Sequence, residues 1–93
     1  MKISMDIELK DIPGQLVLAL EPVSGLGGNI LSVLHQRDKK TPAGRIPVEL
    51  VIEIEEKRLE RLVEQLEERG VSVVRTGEVS LRESMVVLLI GHI

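Results

Sequence analysis

Five apolar residues at strict two-residue spacing, Ile46, Val48, Leu50, Ile52 and Ile54, constrain this chain more than any other feature. Glu49 and Glu53 lie between them. A period of two is that of a strand with one face buried and the other solvated. Residues 2–9 repeat the pattern, with Ile3, Met5, Ile7 and Leu9 on one side and Ser4, Asp6 and Glu8 on the other. Two such strands need a sheet and something apolar to cover it. Phe, Tyr, Trp and Cys are all absent from the 93 residues. The cover must therefore be aliphatic, and one small domain is all the length allows.

Two helical stripes supply it. Leu16, Ala19, Leu20 and Val23 fall at i, i+3, i+4 and i+7, as do Leu59, Leu62, Val63 and Leu66. The first stripe follows the turn formers Asp11, Pro13 and Gly14, with Pro13 suited to a first helical position. It contains Pro22, which should kink the helix or limit its last turn, and it ends at Gly25, Gly27 and Gly28. The second stripe, over 55–69, is otherwise Glu, Lys and Arg, a face expected to be solvated, with Gly70 as its stop. Residues 29–37 read as a strand with Leu31, Val33 and His35 on one face and Ile30, Ser32, Leu34 and Gln36 on the other. With 46–54 it forms a hairpin, in which Pro47 belongs at the strand start or at an unpaired position. Residues 71–79 read as a strand interrupted near Gly77. Residues 85–90, apolar throughout, read as an extra strand covered on both faces or lying at an interface.

The order is β-α-β-β-α-β plus a late strand. That predicts an α+β fold: a ferredoxin-like βαββαβ sandwich with an antiparallel sheet and two helices on one face. The core unit is expected over about 1–79, and the end at Ile93 suggests the first part of a longer protein.

Composition narrows the function. A net charge of −3 and the lack of aromatics argue against nucleic-acid binding by phosphate attraction or base stacking. No apolar run is long enough to span a bilayer, and a cytoplasmic protein is expected. His35 and His92, without Cys, give no recognisable metal spacing, so no metal or cofactor is expected. No Ser–His–acid set, thiol or convincing carboxylate pair can be assigned, so the chain is expected not to be an enzyme.

Two clusters remain. Asp11, Ile12, Pro13, Gly14, Gln15 and Leu16 form the first strand–helix junction. Amides at a helix start attract a carboxylate or phosphate, Gly14 admits a ligand close to the backbone, and Asp11 can accept an ammonium. Equally, Asp11 can cap the helix while Pro-Gly makes the turn. Gly27, Gly28, Asn29 and Ile30 form the second cluster, where the only Asn of the chain can both donate and accept; a plain turn explains these residues as well. His35, near Arg37, is a candidate effector or interface contact.

Together, Asp11-x-Pro13-Gly14-x-Leu16, an amphipathic helix, and Asn29-Ile30 sixteen positions after the proline resemble the ACT domain over residues 1 to about 79. Gly27 matches the small residue usual two positions before the Asn. Pro22 and the run 85–90 depart from the minimal pattern. The chain is similar in particular to the archaeal ACT proteins proposed as allosteric regulators of homoserine dehydrogenase, which are longer. The resemblance implies a side-by-side homodimer or higher homo-oligomer that binds an amino-acid effector between subunits. Backbone around Ile12–Gln15 would hold the effector, and Asn29 and Ile30 would come from the partner. Threonine is the effector suggested by the link to homoserine metabolism; other aliphatic or branched amino acids stay open. The competing expectation is a structural oligomerisation module without a ligand.

Overall fold

Each buried residue of one central strand meets a buried residue of the other. A computed structural model describes residues 1–79. In it the chain forms β1 (Lys2–Lys10), α1 (Gln15–Gly25), β2 (Asn29–His35), a short 3₁₀ turn (Arg37–Lys39), β3 (Arg45–Glu53), α2 (Glu56–Glu68) and β4 (Ser72–Glu78). β1 and β3 pair antiparallel, placing Ile3 opposite Ile52, Met5 opposite Leu50, Ile7 opposite Val48 and Leu9 opposite Ile46. Facing residues of an antiparallel pair share a side of the sheet. The two alternations therefore merge into one apolar face.

That face carries both helices. Ala19 and Val23 of α1 and Leu62 and Leu66 of α2 belong to the same buried cluster as the β1 and β3 residues. The sheet order is β2-β3-β1-β4, all antiparallel, which is the ferredoxin-like arrangement expected. The core is wholly aliphatic, and among the described residues it buries no polar or charged side chain. The expected strand at 85–90, the turn before it and His92 lie outside the described residues.

Both helices end in the same way. Gly27 and Gly70 adopt positive φ just past the last turn. Gly28 N–H donates to Val23 O and Gly27 N–H to Ser24 O; Val71 N–H donates to Leu66 O and Gly70 N–H to Glu67 O. These paired bonds are the Schellman stop, and the buried Val71 and Leu66 add its apolar contact in α2. α1 runs through Pro22, which is buried, and ends three residues later. Proline cannot donate to the carbonyl four residues back, that of Leu18. Arg69 at the end of α2 supplies a replacement donor to Leu18 O at 3.2 Å. Arg58 likewise donates to Leu26 O at 3.0 Å. The charged residues of α2 are thus not only a solvated face: two arginines clamp the backbone of α1.

Several details differ from the sequence expectation. Pro13 sits in the turn before α1, whose first residue is Gln15 and whose N-cap is Gly14 at φ 84°. The fourth strand is irregular at Val74, between the pairs Asp6–Arg75 and Ile7–Val73, and Gly77 pairs regularly with Ser4. Pro47 lies within β3, one residue beyond the last β2 pair, His35–Val48; its carbonyl accepts from Gln36 N–H at 2.9 Å, and because it has no N–H to return, the β2 ladder ends there.

β2 departs most. All seven of its residues are exposed, because it is an edge strand beyond the cover of the helices. A bulge separates Ile30, opposite Ile52, from Ser32, opposite Val51. The extra residue, Leu31, reverses the facing. Ile30, Val33 and His35 lie on the helix side, opposite Ile52, Leu50 and Val48. Leu31 does not share a regular face with Val33, as strict alternation predicts.

Candidate functional site

The turn from β1 into α1 forms one wall of a cleft of about 350 Å³. Asp11, Ile12, Pro13, Gly14, Gln15 and Leu16 line it, all six residues of the first sequence cluster. Leu9 and Ile46 add apolar surface from β1 and β3, and His35, Arg37 and Lys10 bring charge or hydrogen-bonding capacity. The volume falls at the lower end of small-molecule pockets, roughly 300–1,000 Å³.

Local backbone geometry makes this site. Gly14 closes the turn in the left-handed region, which residues with a side chain rarely adopt. No side chain caps α1, and its first turn holds no acidic residue. Leu18 N–H bonds Gly14 O at 3.3 Å, so the first intrahelical bond begins there and the amides of Gln15, Leu16 and Val17 lack intrahelical acceptors. Such amides together with the helix dipole favour a negative group.

Asp11 does not cap the helix. Its Oδ2 lies 2.6 Å from Lys40 Nζ and its Oδ1 3.4 Å from an Arg37 guanidinium nitrogen. The hydrogen bond from Lys40, then the charges of Lys40 and Arg37, hold its carboxyl below the ordinary value of 3.8, against an opposing effect of desolvation. These contacts tie the first loop to the segment joining β2 and β3. Neither partner is evident from the sequence, since Lys40 is one of two adjacent lysines in an unremarkable polar turn. Gln15 carries a second unusual group: its side-chain oxygen is buried without a hydrogen-bond partner among the described residues.

Gly28, Asn29 and Ile30 do not join this cleft within one chain. Asn29 faces Glu53, which in turn faces Lys2, whereas Asp11 follows Lys10 at the other end of β1. Eight residues at ~3.3 Å each put the two clusters roughly 26 Å apart. Gly28 has its own structural reason: a Cβ there would lie 2.9 Å from Val23 Cγ1 and 3.2 Å from Glu53 O. Asn29 and Ile30 are exposed at the start of the edge strand, and Ile30 borders a shallow groove with Val17 and Leu20 of α1.

Among the described residues no cluster of His, Cys, Asp or Glu is placed to hold a metal ion, and no helix is long and apolar enough to cross a membrane.

No family model matches the chain. L-threonine ammonia-lyase from Thermotoga maritima is 36% identical to it over 78 residues, covering 82% of this chain and 20% of that enzyme. The chain thus spans about a fifth of the length of the curated relative it matches. The crystal structure of a formyltetrahydrofolate deformylase from Pseudomonas putida matches 85% of this chain and 29% of that one, with a TM-score of 0.62 and 10% identity. That likeness is one of fold.

Proposed function

We propose that residues 1–79 form an ACT-type regulatory domain that binds an amino acid and works as a side-by-side pair in the cytoplasm. The observation that carries the proposal is the cleft over the start of α1, where amides without intrahelical acceptors, the Asp11 carboxylate and cationic side chains meet apolar walls. An amino acid offers the matching groups: a carboxylate, an ammonium and an aliphatic side chain.

The exposed β2 explains why one chain holds half of the proposed site. If two copies pair antiparallel through β2 about Ser32, Asn29 of one copy comes opposite His35 of the other. His35 borders the cleft. The roughly 26 Å that separate the two clusters within a chain then vanish across the pair. Effector binding between subunits would favour one arrangement of the pair, the requirement for allosteric control.

The proposed target is an enzyme of amino-acid biosynthesis, homoserine dehydrogenase first among candidates, with threonine the first effector to test. The threonine named in the relative's activity supports that choice. A thermal-shift panel of the twenty amino acids tests it. Ligand at a hundred times its dissociation constant should stabilise the fold by about 2.7 kcal/mol. No shift with any of them at millimolar concentration overturns the binding reading. The alternative, a ligand-free oligomerisation module, is favoured by the exposed apolar edge alone and predicts an oligomer indifferent to every amino acid.

A further inference from the structure

Among the described residues, the only carboxylate lining the cleft is already engaged. Asp11 Oδ2 is held by Lys40 at 2.6 Å, and Asp11 Oδ1 by Arg37 at 3.4 Å. The two partners differ in position as well as distance. Arg37 lines the cleft; Lys40 does not. The Arg37 side chain is 73% exposed, so its longer contact is the weaker of the two and opens readily in water.

A free amino acid is itself an ion pair, and an existing ion pair can accept it without a net change of charge. We infer that Arg37 is a ligand-binding residue, its guanidinium leaving Asp11 Oδ1 to take the effector's α-carboxylate while Asp11 takes the α-ammonium. Lys40 stays on Oδ2 throughout. The planar guanidinium offers paired donors that match a carboxylate, and Gln15 and Leu16, whose amides have no intrahelical acceptor, line the same cleft. Neither a simple amine nor a simple acid satisfies both partners. The inference rests on the function proposed above and adds a chemical class: ligands with both a free amino and a free carboxyl group on one carbon. It also makes Arg37 the residue that senses occupancy, because it exchanges partners.

The test uses the full chain and whichever amino acid gives the largest thermal shift. Calorimetry compares wild type, Arg37→Gln, Arg37→Lys and the control Lys39→Gln, which changes an exposed charge outside the cleft. Circular dichroism confirms that each variant folds. Arg37→Gln should weaken binding about tenfold or more. Arg37→Lys should fall between, and Lys39→Gln should bind as wild type does. The decarboxylated amine should bind wild type much more weakly than the amino acid, and that difference should shrink in Arg37→Gln. Binding by Arg37→Gln equal to wild type overturns the assignment of Arg37 and leaves the proposed function standing. Absence of binding by wild type to any amino acid overturns both.

Discussion

Arg69 donates a hydrogen bond to the carbonyl oxygen of Leu18, 3.2 Å away, at the acceptor that Pro22 leaves without its helical partner. The same guanidinium nitrogen contacts Glu21 Oε1 at 3.0 Å. A proline inside a short helix is thus accommodated by a side chain from the neighbouring helix. The arrangement predicts coupling. Arg69→Met should destabilise the fold by about 0.5–1 kcal/mol, the usual net worth of one hydrogen bond. In a Pro22→Ala background the alanine N–H can bond Leu18 O, so Arg69→Met should cost less. Urea unfolding of the four proteins gives the interaction energy directly. Equal costs in the two backgrounds would show that Arg69 acts only through Glu21.

Glycine packing separates two positions that look alike in the sequence. A Cβ at Gly28 would sit 2.9 Å from Val23 Cγ1, 3.1 Å from Val23 O and 3.2 Å from Glu53 O. Two of these are backbone atoms and cannot swing away. Gly28→Ala should cost about 1–3 kcal/mol, as overpacking does. A Cβ at Gly25 would meet nothing within 4 Å, and its φ is not positive. Gly25→Ala should therefore stabilise, by about 0.4–1 kcal/mol, through the less flexible unfolded chain. Denaturant midpoints at unchanged slope would verify both signs.

The contrast shows where sequence reasoning reaches. Spacing identifies β1 and β3, because each is covered on one face and nothing interrupts its period of two. It identifies both helices for the same reason. β2 is misread in its facing because a bulge at Leu31 depends on how the strand registers with Ile52 and Val51, a long-range relation that no local pattern carries. The first-loop cluster is legible as a motif, and the structure gathers all six residues around one cleft. The ties from Asp11 to Arg37 and Lys40 are not legible, since they join residues 26 and 29 positions apart through a turn whose path only the folded hairpin sets.

The ties of Asp11 also predict a pH dependence. Lys40 and Arg37 hold its carboxyl below the ordinary value of 3.8. A carboxylate with a lower value in the folded than in the unfolded chain stabilises the fold when ionised. That contribution is complete above the unfolded value and disappears as pH falls through the folded one. Asp11→Asn should thus be less stable than wild type near neutral pH, and the gap should close in acid below about pH 3–4. Thermal melts across that range would reveal it. A gap that stays constant with pH would mean that Asp11 contributes shape alone.

Edge strands with apolar side chains on both faces are a hazard unless another strand covers them. β2 exposes Ile30 and Val33 on the helix side and Leu34 on the other, with its open backbone edge between. Pairing through β2, as proposed above, would cover all of these at once. Val33→Glu places a charge opposite Leu50, facing the side where α1 and its counterpart would meet. Because Val33 is already 38% exposed in the single chain, the substitution should leave the monomer's fold nearly unchanged. Light scattering should therefore find a dimer or larger species for wild type and a folded monomer for Val33→Glu. A glutamate on the opposite face of α2, such as Arg61→Glu, changes charge without touching β2 and should leave the assembly intact. A monomeric wild type would rule out pairing through β2, and with it the placement of Asn29 beside the partner's cleft.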